Sequence, residues 1–312
     1  MQRNILRPFR MSSSNYALSG ARCSPMTTLY IIGNGFDLWH GLPTGYDNFY
    51  EYARESLDEL EAYYIVDATT DRPWHDFENC LGKYDYSSFY DAYNEIDVAS
   101  DSFRRRDVYC LEDELNEHAG NLVESIEDLF HEWVSEVDIL AAQKKINFDQ
   151  GALYLTFNYT STLQLVYGVN DSAVRHIHGK SERMDKLIFG HGESREEEPE
   201  IDESGDSNRT MFTDAEGAAK YPFYAFKKPV SEIIENNQEY FRSLRGITRI
   251  VVIGHSLNDI DFSYFQEIVR NTVDCNWLIY CYKESGVDHH KSQLLRCGVS
   301  ASCITTCGYE AP

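Results

Sequence analysis

No apolar run in this chain approaches the roughly 18 residues that cross a bilayer. The longest apolar stretch lies around Ile250 to Ile253, so no transmembrane helix is expected, and a soluble, cytoplasmic protein is. No C-x-x-C pair occurs among the eight cysteines, at positions 23, 80, 110, 275, 281, 297, 303 and 307, which weakens any zinc site. A disulfide scaffold does not suit a chain of this length either, so reduced thiols are expected. Basic residues are scarce: 28 Lys and Arg stand against 51 Asp and Glu, a formal charge of −23. A general nucleic-acid binder needs a basic face to neutralise phosphates, and the charge argues against that class. Lys227-Lys228 with Arg242, Arg245 and Arg249 is the nearest approach to a basic cluster, and solvated helix faces account for it. There is no internal repeat and no carboxylate cluster suited to two metal ions.

What is present suffices for a packed core: 312 residues, 42% hydrophobic and 13% aromatic, allow one large or two modest domains. Residues 1–25 differ from the rest, with Arg3, Arg7, Arg10 and Arg22, no acid, and a Ser12-Ser13-Ser14 stretch. Such a leader is either a transit peptide or an over-extended start, with Met26 as the natural first residue. It is expected to be disordered or not native, leaving 26–312 as one domain.

Leu29-Tyr30-Ile31-Ile32 reads as a buried strand running into Gly33-Asn34-Gly35-Phe36-Asp37 and on to Gly41-Leu42-Pro43. Glycines there let the backbone turn tightly and come close to a pyrophosphate, with free N–H groups and the positive end of the next helix facing it. A helix-patterned segment from Thr44, a plausible N-cap, reaches about Leu60. A longer one spans roughly Leu111 to Leu140, where Leu111, Leu115, Ala119, Leu122, Ile126, Leu129, Trp133 and Val137 make a core-facing stripe. Strand patterns follow at 153–157, 173–177, 187–189, 247–253 and 277–282, several of them continuous apolar runs. Ser194 to Asn208 is strongly acidic and reads as an exposed mobile loop, and Ser231 to Leu244 as a helix. The order predicts an α/β fold: an open, mostly parallel, Rossmann-like sheet with a large helical insertion at about 44–145.

Three further islands sit at strand ends, where a parallel sheet places ligands. Thr156-Phe157-Asn158-Tyr159-Thr160 offers an Asn that can hold a ribose hydroxyl or align a water, or else cap the helix begun by Ser161-Thr162-Leu163. His176-Ile177-His178-Gly179 admits a metal pair, a structural histidine, a general acid or base, or an orienting contact to a sugar. Without a companion ligand cluster no metal is expected. Gly254-His255-Ser256-Leu257-Asn258-Asp259 follows the most apolar strand; Asp259 can take a ribose or cap a helix. Ser256 is not a hydrolase nucleophile, because Asn258 stands where the elbow motif needs its second glycine.

Together these islands resemble, in order, the sirtuin-type NAD-binding fold. Gly33, Gly35, Gly41 and Pro43 match its G-A-G-x-S-x-x-S-G-I-P loop, Thr156-Phe157-Asn158 its T-Q-N, His178-Gly179 its H-G, and Gly254-His255-Ser256-Leu257 its G-T-S-L. A fuller match, from Leu29 to Phe265, is to the AbiH-like abortive-infection proteins of bacteria. It includes Ile31 to Asp37, Trp74-His75-Asp76-Phe77-Glu78, Phe157 to Thr160, His176 to Gly179, Gly254 to Leu257, Asp261 and Tyr264-Phe265. Residues 180–253 contain no cysteine, whereas sirtuins carry a four-cysteine zinc module there, so a deacylase is disfavoured. The resemblance implies instead hydrolysis of NAD to nicotinamide and ADP-ribose, which would halt an infected cell by draining its cofactor.

On that reading NAD is the substrate and the catalytic residues are Asn158, positioning water or ribose, and His178, contacting the ribose or accepting a proton. Gly33, Asn34, Gly35, Phe36, Asp37, Thr160, Gly254, His255, Ser256 and Asp259 are the expected NAD contacts. An unrestrained NAD hydrolase would poison its host, so assembly into a homo-oligomer, a covering segment or a defence partner is expected to hold it in check. The alternative is a sensor that binds NAD or ADP-ribose without consuming it.

Overall fold

The computed structural model describes residues 27–65, 74–183, 186–197, 199–282 and 286–308. The leader expected at 1–25 lies outside the described residues. Six strands, Thr27–Ile32 (β1), Leu153–Thr156 (β2), Val174–His176 (β3), Ile247–Ile253 (β4), Asn276–Cys281 (β5) and Ile304–Gly308 (β6), form one all-parallel sheet in the order β3-β2-β1-β4-β5-β6. The α/β class and the open parallel sheet are therefore as expected. Side chains alternate across the strands: Leu29, Ile31, Leu155, Ile250 and Val252 pack on one face, Tyr30, Ile32, Tyr154, Val251 and Ile253 on the other. Burial on both faces is why β1 and β4 read as continuous apolar runs.

Between β1 and β2 come α1 (Asn34–Trp39), α2 (Tyr46–Tyr52), α3 (Arg54–Leu60), α4 (Phe77–Leu81), α5 (Tyr86–Tyr93) and α6 (Arg105–Ser135). α7 (Thr162–Leu165) follows β2. α8 (Thr213–Ala225), α9 (Val230–Asn236) and α10 (Gln238–Ser243) precede β4, while α11 (Phe262–Asn271) and α12 (Val287–Arg296) follow β4 and β5. The helical layer has a core of its own, built on Phe49, Trp74, Phe77 and Phe130 of the insertion together with Phe223 of α8. α6 crosses it for 31 residues, about 46 Å at the usual rise. Its charged outer face keeps it from being a bilayer helix, and no described helix is long and apolar enough to span one.

The structure departs from the sequence reading in several places, each with a local cause. The expected helix from Thr44 begins one residue later and breaks between α2 and α3: Gly45 is the N-cap, and its N–H donates to Asn48 Oδ1 at 3.2 Å. The long helix starts earlier and ends sooner than 111–140, because Asp107 accepts from the Arg104 N–H at 2.8 Å and caps its first turn. The 231–244 helix is two helices, with Asn237 between them donating its side-chain amide to Ile233 O at 2.8 Å; such local bonds compete with helix continuation. Leu187 to Phe189 is not a sheet strand. It continues to His191, which joins the stretch after α8: His191 N donates to Phe226 O at 3.0 Å and Lys228 N to His191 O at 2.9 Å. Apolar 187 and 189 fill the helical core instead. Half-buried β6 was not anticipated, nor was α8, which also packs into the helical core. The described residues of the acidic stretch are exposed except for half-buried Arg195, which anchors its start, bonding Tyr84 O and lying 4.0 Å from the Phe223 ring centre.

Candidate active site

The strand order reverses between β1 and β4, and open parallel sheets form their ligand crevice outside the strand ends at such a point. A cavity of about 240 Å³ lies there. Its sheet side comes from the turns after β1 (Gly33, Asn34, Gly35), β2 (Phe157, Asn158, Thr160), β3 (His178) and β4 (Gly254, His255); its roof comes from Tyr46, Glu78, Phe130 and Trp133 of the helical layer. The β1 and β4 turns touch backbone to backbone. Gly33 N donates to Ile253 O at 3.0 Å and Gly35 N to Gly254 O at 2.8 Å. A Cβ at Gly254, where φ is +70°, would lie 2.0 Å from Phe36 N, so only glycine fits. The amides expected to face a pyrophosphate are thus committed: those of Gly33 and Gly35 to the β4 turn, and that of Phe36 to Gly33 O at 2.9 Å.

Asp37 is fully buried, and Oδ2 accepts from Thr160 Oγ1 at 2.5 Å. Burial pushes its pKa up to about 6, with Thr160, Thr162 and Asn158 partly opposing the rise. Among the described residues its Oδ1 has no hydrogen-bond partner, nor have Asn158 Oδ1, Thr44 Oγ1 and His178 Nε2, all on cavity-lining residues. A buried polar atom left without a partner costs about 1–3 kcal/mol. Several around one cavity mark a place prepared for something else to bond.

His178 packs edge-on to Phe157 and Tyr264, with ring centres 5.2 and 5.6 Å away. Burial, reinforced by the nearby Lys228, pushes its pKa down to about 3. At neutral pH it is a neutral imidazole and a weak base. In that state it can offer one ring nitrogen as a donor and the other as an acceptor. His255 accepts the Leu257 N–H on Nδ1 at 2.9 Å, so its proton sits on Nε2, which lies 3.4 Å from Asp261 Oδ2.

Lys228, with its side chain 1% exposed, bridges Glu78 Oε1 at 2.9 Å and Asp261 Oδ1 at 3.5 Å. Burial opposes its charge, but the two carboxylates outweigh that and raise its pKa. Burial works against the Asp261 carboxylate too, yet Lys228 and the hydrogen bond from His255 hold it below the usual range. Glu78 is raised, mainly by burial.

Of the residues singled out in the sequence, Gly33, Asn34, Gly35, Asp37, Asn158, Thr160, His178, Gly254, His255 and Ser256 line this cavity. Two do not. Phe36 points its ring into the opposite face of the sheet, against His40 and Tyr167, and Asp259 is exposed and paired with Arg296 at 2.7 Å. Two residues along the chain, Asp261 occupies the place expected of Asp259. His176 is a structural histidine, with Nδ1 donating to Asn158 O at 3.0 Å. Glu78 and Lys228 were not anticipated as site residues. Lys228 in particular is not on a solvated helix face but buried, which is rare for a lysine.

A family model described as bacteriophage abortive infection AbiH matches residues 29–281. No curated protein matches the chain.

Proposed function

The chain belongs to the AbiH family of bacteriophage abortive infection, and from that premise we propose that it hydrolyses NAD to nicotinamide and ADP-ribose. The observation that carries the proposal is Asp37: a buried carboxylate at the sheet's switch point, with one oxygen bonded to Thr160 and the other unpartnered beside Asn158 and His178. Cleaving an N-ribosyl bond sends the bonding electron pair to nicotinamide and leaves an oxocarbenium-like ribosyl group. A fixed carboxylate in a water-poor site stabilises that charge far better than water does.

Water then adds to the anomeric carbon and gives up its proton. Asp37, with a pKa of about 6, accepts it at neutral pH and is well matched to do so. Asn158 has an unpartnered Oδ1 that orients the water or the ribose hydroxyls, and neutral His178 bonds the sugar through Nε2. Holding the enzyme in check falls to assembly into a homo-oligomer or to a defence partner.

The test is a time course of free nicotinamide and ADP-ribose from the purified chain with NAD. Asp37→Asn, Asn158→Ala and His178→Ala are run beside it. Turnover by wild type and losses of roughly 100-fold or more in Asp37→Asn and Asn158→Ala are expected. If no protein concentration releases nicotinamide while NAD binds tightly, the hydrolase reading fails in favour of a sensor.

A further inference from the structure

The charges around the cavity carry the argument one step beyond the reaction. Three carboxylates line it, from Asp37, Glu78 and Asp261, against a single ammonium, that of Lys228. Lys228 is already shared between Glu78 and Asp261, so Asp37 faces no cation among the lining residues. The histidines do not make up the difference. His178 is neutral because burial drives its proton off, and both ring nitrogens of His255 are engaged elsewhere, Nδ1 by the Leu257 N–H and Nε2 by Asp261. The cavity therefore holds an excess of negative charge in a place where an uncompensated charge is expensive.

We propose that this cavity is a cation-selective subsite that accepts the positively charged N-alkylpyridinium end of a dinucleotide and leaves its phosphates outside. Asp37 Oδ1 and Asn158 Oδ1, each without a hydrogen-bond partner among the described residues, supply acceptors. Trp133, Phe130 and Tyr46 line the roof, and aromatic side chains attract a cation held beside them. Phosphates find the opposite: the Gly33, Gly35 and Phe36 amides are consumed within the protein, and three carboxylates face inward. Size agrees with this division, because about 240 Å³ falls below the roughly 300–1,000 Å³ of pockets that enclose a whole drug-sized ligand. The inference rests on the NAD reading for the identity of the natural ligand and on the charges for its sign.

The test uses two rings that differ in charge, the 1-methylnicotinamide cation and neutral nicotinamide, titrated calorimetrically into the full chain and into Asp37→Asn. The cation should bind at least about tenfold more tightly to wild type, and Asp37→Asn should bring the ratio close to one. Equal affinities, a preference for the neutral ring, binding of neither, or an undiminished preference in Asp37→Asn would each overturn the proposal. Nicotinamide release from NAD, measured on the same samples, separates the two claims. Cation preference without release leaves the subsite standing and sinks the hydrolase, while release without preference does the reverse.

Discussion

At the scale of single residues, Asp37 has the largest consequences for both stability and chemistry. An unfolded aspartate titrates near 3.8, whereas Asp37 in the fold does so at about 6, through burial. A raised acid pKa means that the native state holds the proton more firmly than the unfolded chain does. Its effect on stability is therefore nil below about pH 4 and becomes increasingly unfavourable until about pH 6, reaching about 3 kcal/mol. Asp37→Asn keeps an acceptor for Thr160 and removes the buried charge. Relative to wild type it should gain up to about 3 kcal/mol at pH 7.5 and nothing at pH 4, as read from denaturant midpoints. An equal difference at both pH values would show that the carboxylate is not desolvated. A site residue whose removal stabilises the fold is the usual mark of strain retained for function. Asp37 was legible as a contact because it follows a strand and a glycine turn. Its burial was not, since that depends on Thr160 and Asn158, more than a hundred residues away in the chain.

At the scale of elements, the cavity depends on how closely α6 lies against its neighbours. Ala215, Ala218 and Ala219 of α8 are buried in the same core as Leu115, Ala119 and Phe130 of α6, and such small residues let two helices approach. Tyr84 fastens the arrangement by donating its hydroxyl to Ala219 O at 3.0 Å. Ala219→Leu should overpack this contact and cost about 1–3 kcal/mol in thermal or denaturant unfolding. It should also weaken NAD binding, because Phe130 and Trp133 of α6 form the roof. Unchanged stability would mean that the interface has room to spare. The stripe of α6 was visible in the sequence, since apolar residues every third or fourth position can only be a helix face. Its partner α8 was not: a short run of alanines, glycine and a proline, Pro222, carries little periodicity, and only the facing helix gives it a reason to be helical. The strands of the sheet centre were legible for the opposite reason, since Leu29 to Ile32 and Ile250 to Ile253 are buried on both faces and so form continuous apolar runs.

At the scale of the whole molecule, sheet and helical layer meet across the cavity, and Lys228 ties them together. Glu78 belongs to α4 of the helical layer, Asp261 to the turn after β4, and Lys228 lies between α8 and α9, its amide held by His191 O. Nothing in the local sequence distinguishes Lys228 from exposed Lys227 beside it, because its burial follows from how distant segments come together. Removing only the ammonium, as in Lys228→Met, strands two buried carboxylates and should cost about 3–5 kcal/mol near neutral pH. Adding Glu78→Gln and Asp261→Asn to that variant should restore much of the loss, since the penalty lies in the unpaired charges and not in the absent bridge. Denaturant unfolding of the single and triple variants decides the matter: a triple variant no more stable than Lys228→Met would show that the bridge itself, and not the relief of buried charge, holds the two layers. The same three side chains line the cavity, so a ligand bound there touches both layers at once. It should raise the unfolding temperature of wild type with the logarithm of ligand concentration once that exceeds the dissociation constant, and less so in the triple variant, whose layers are joined without charge.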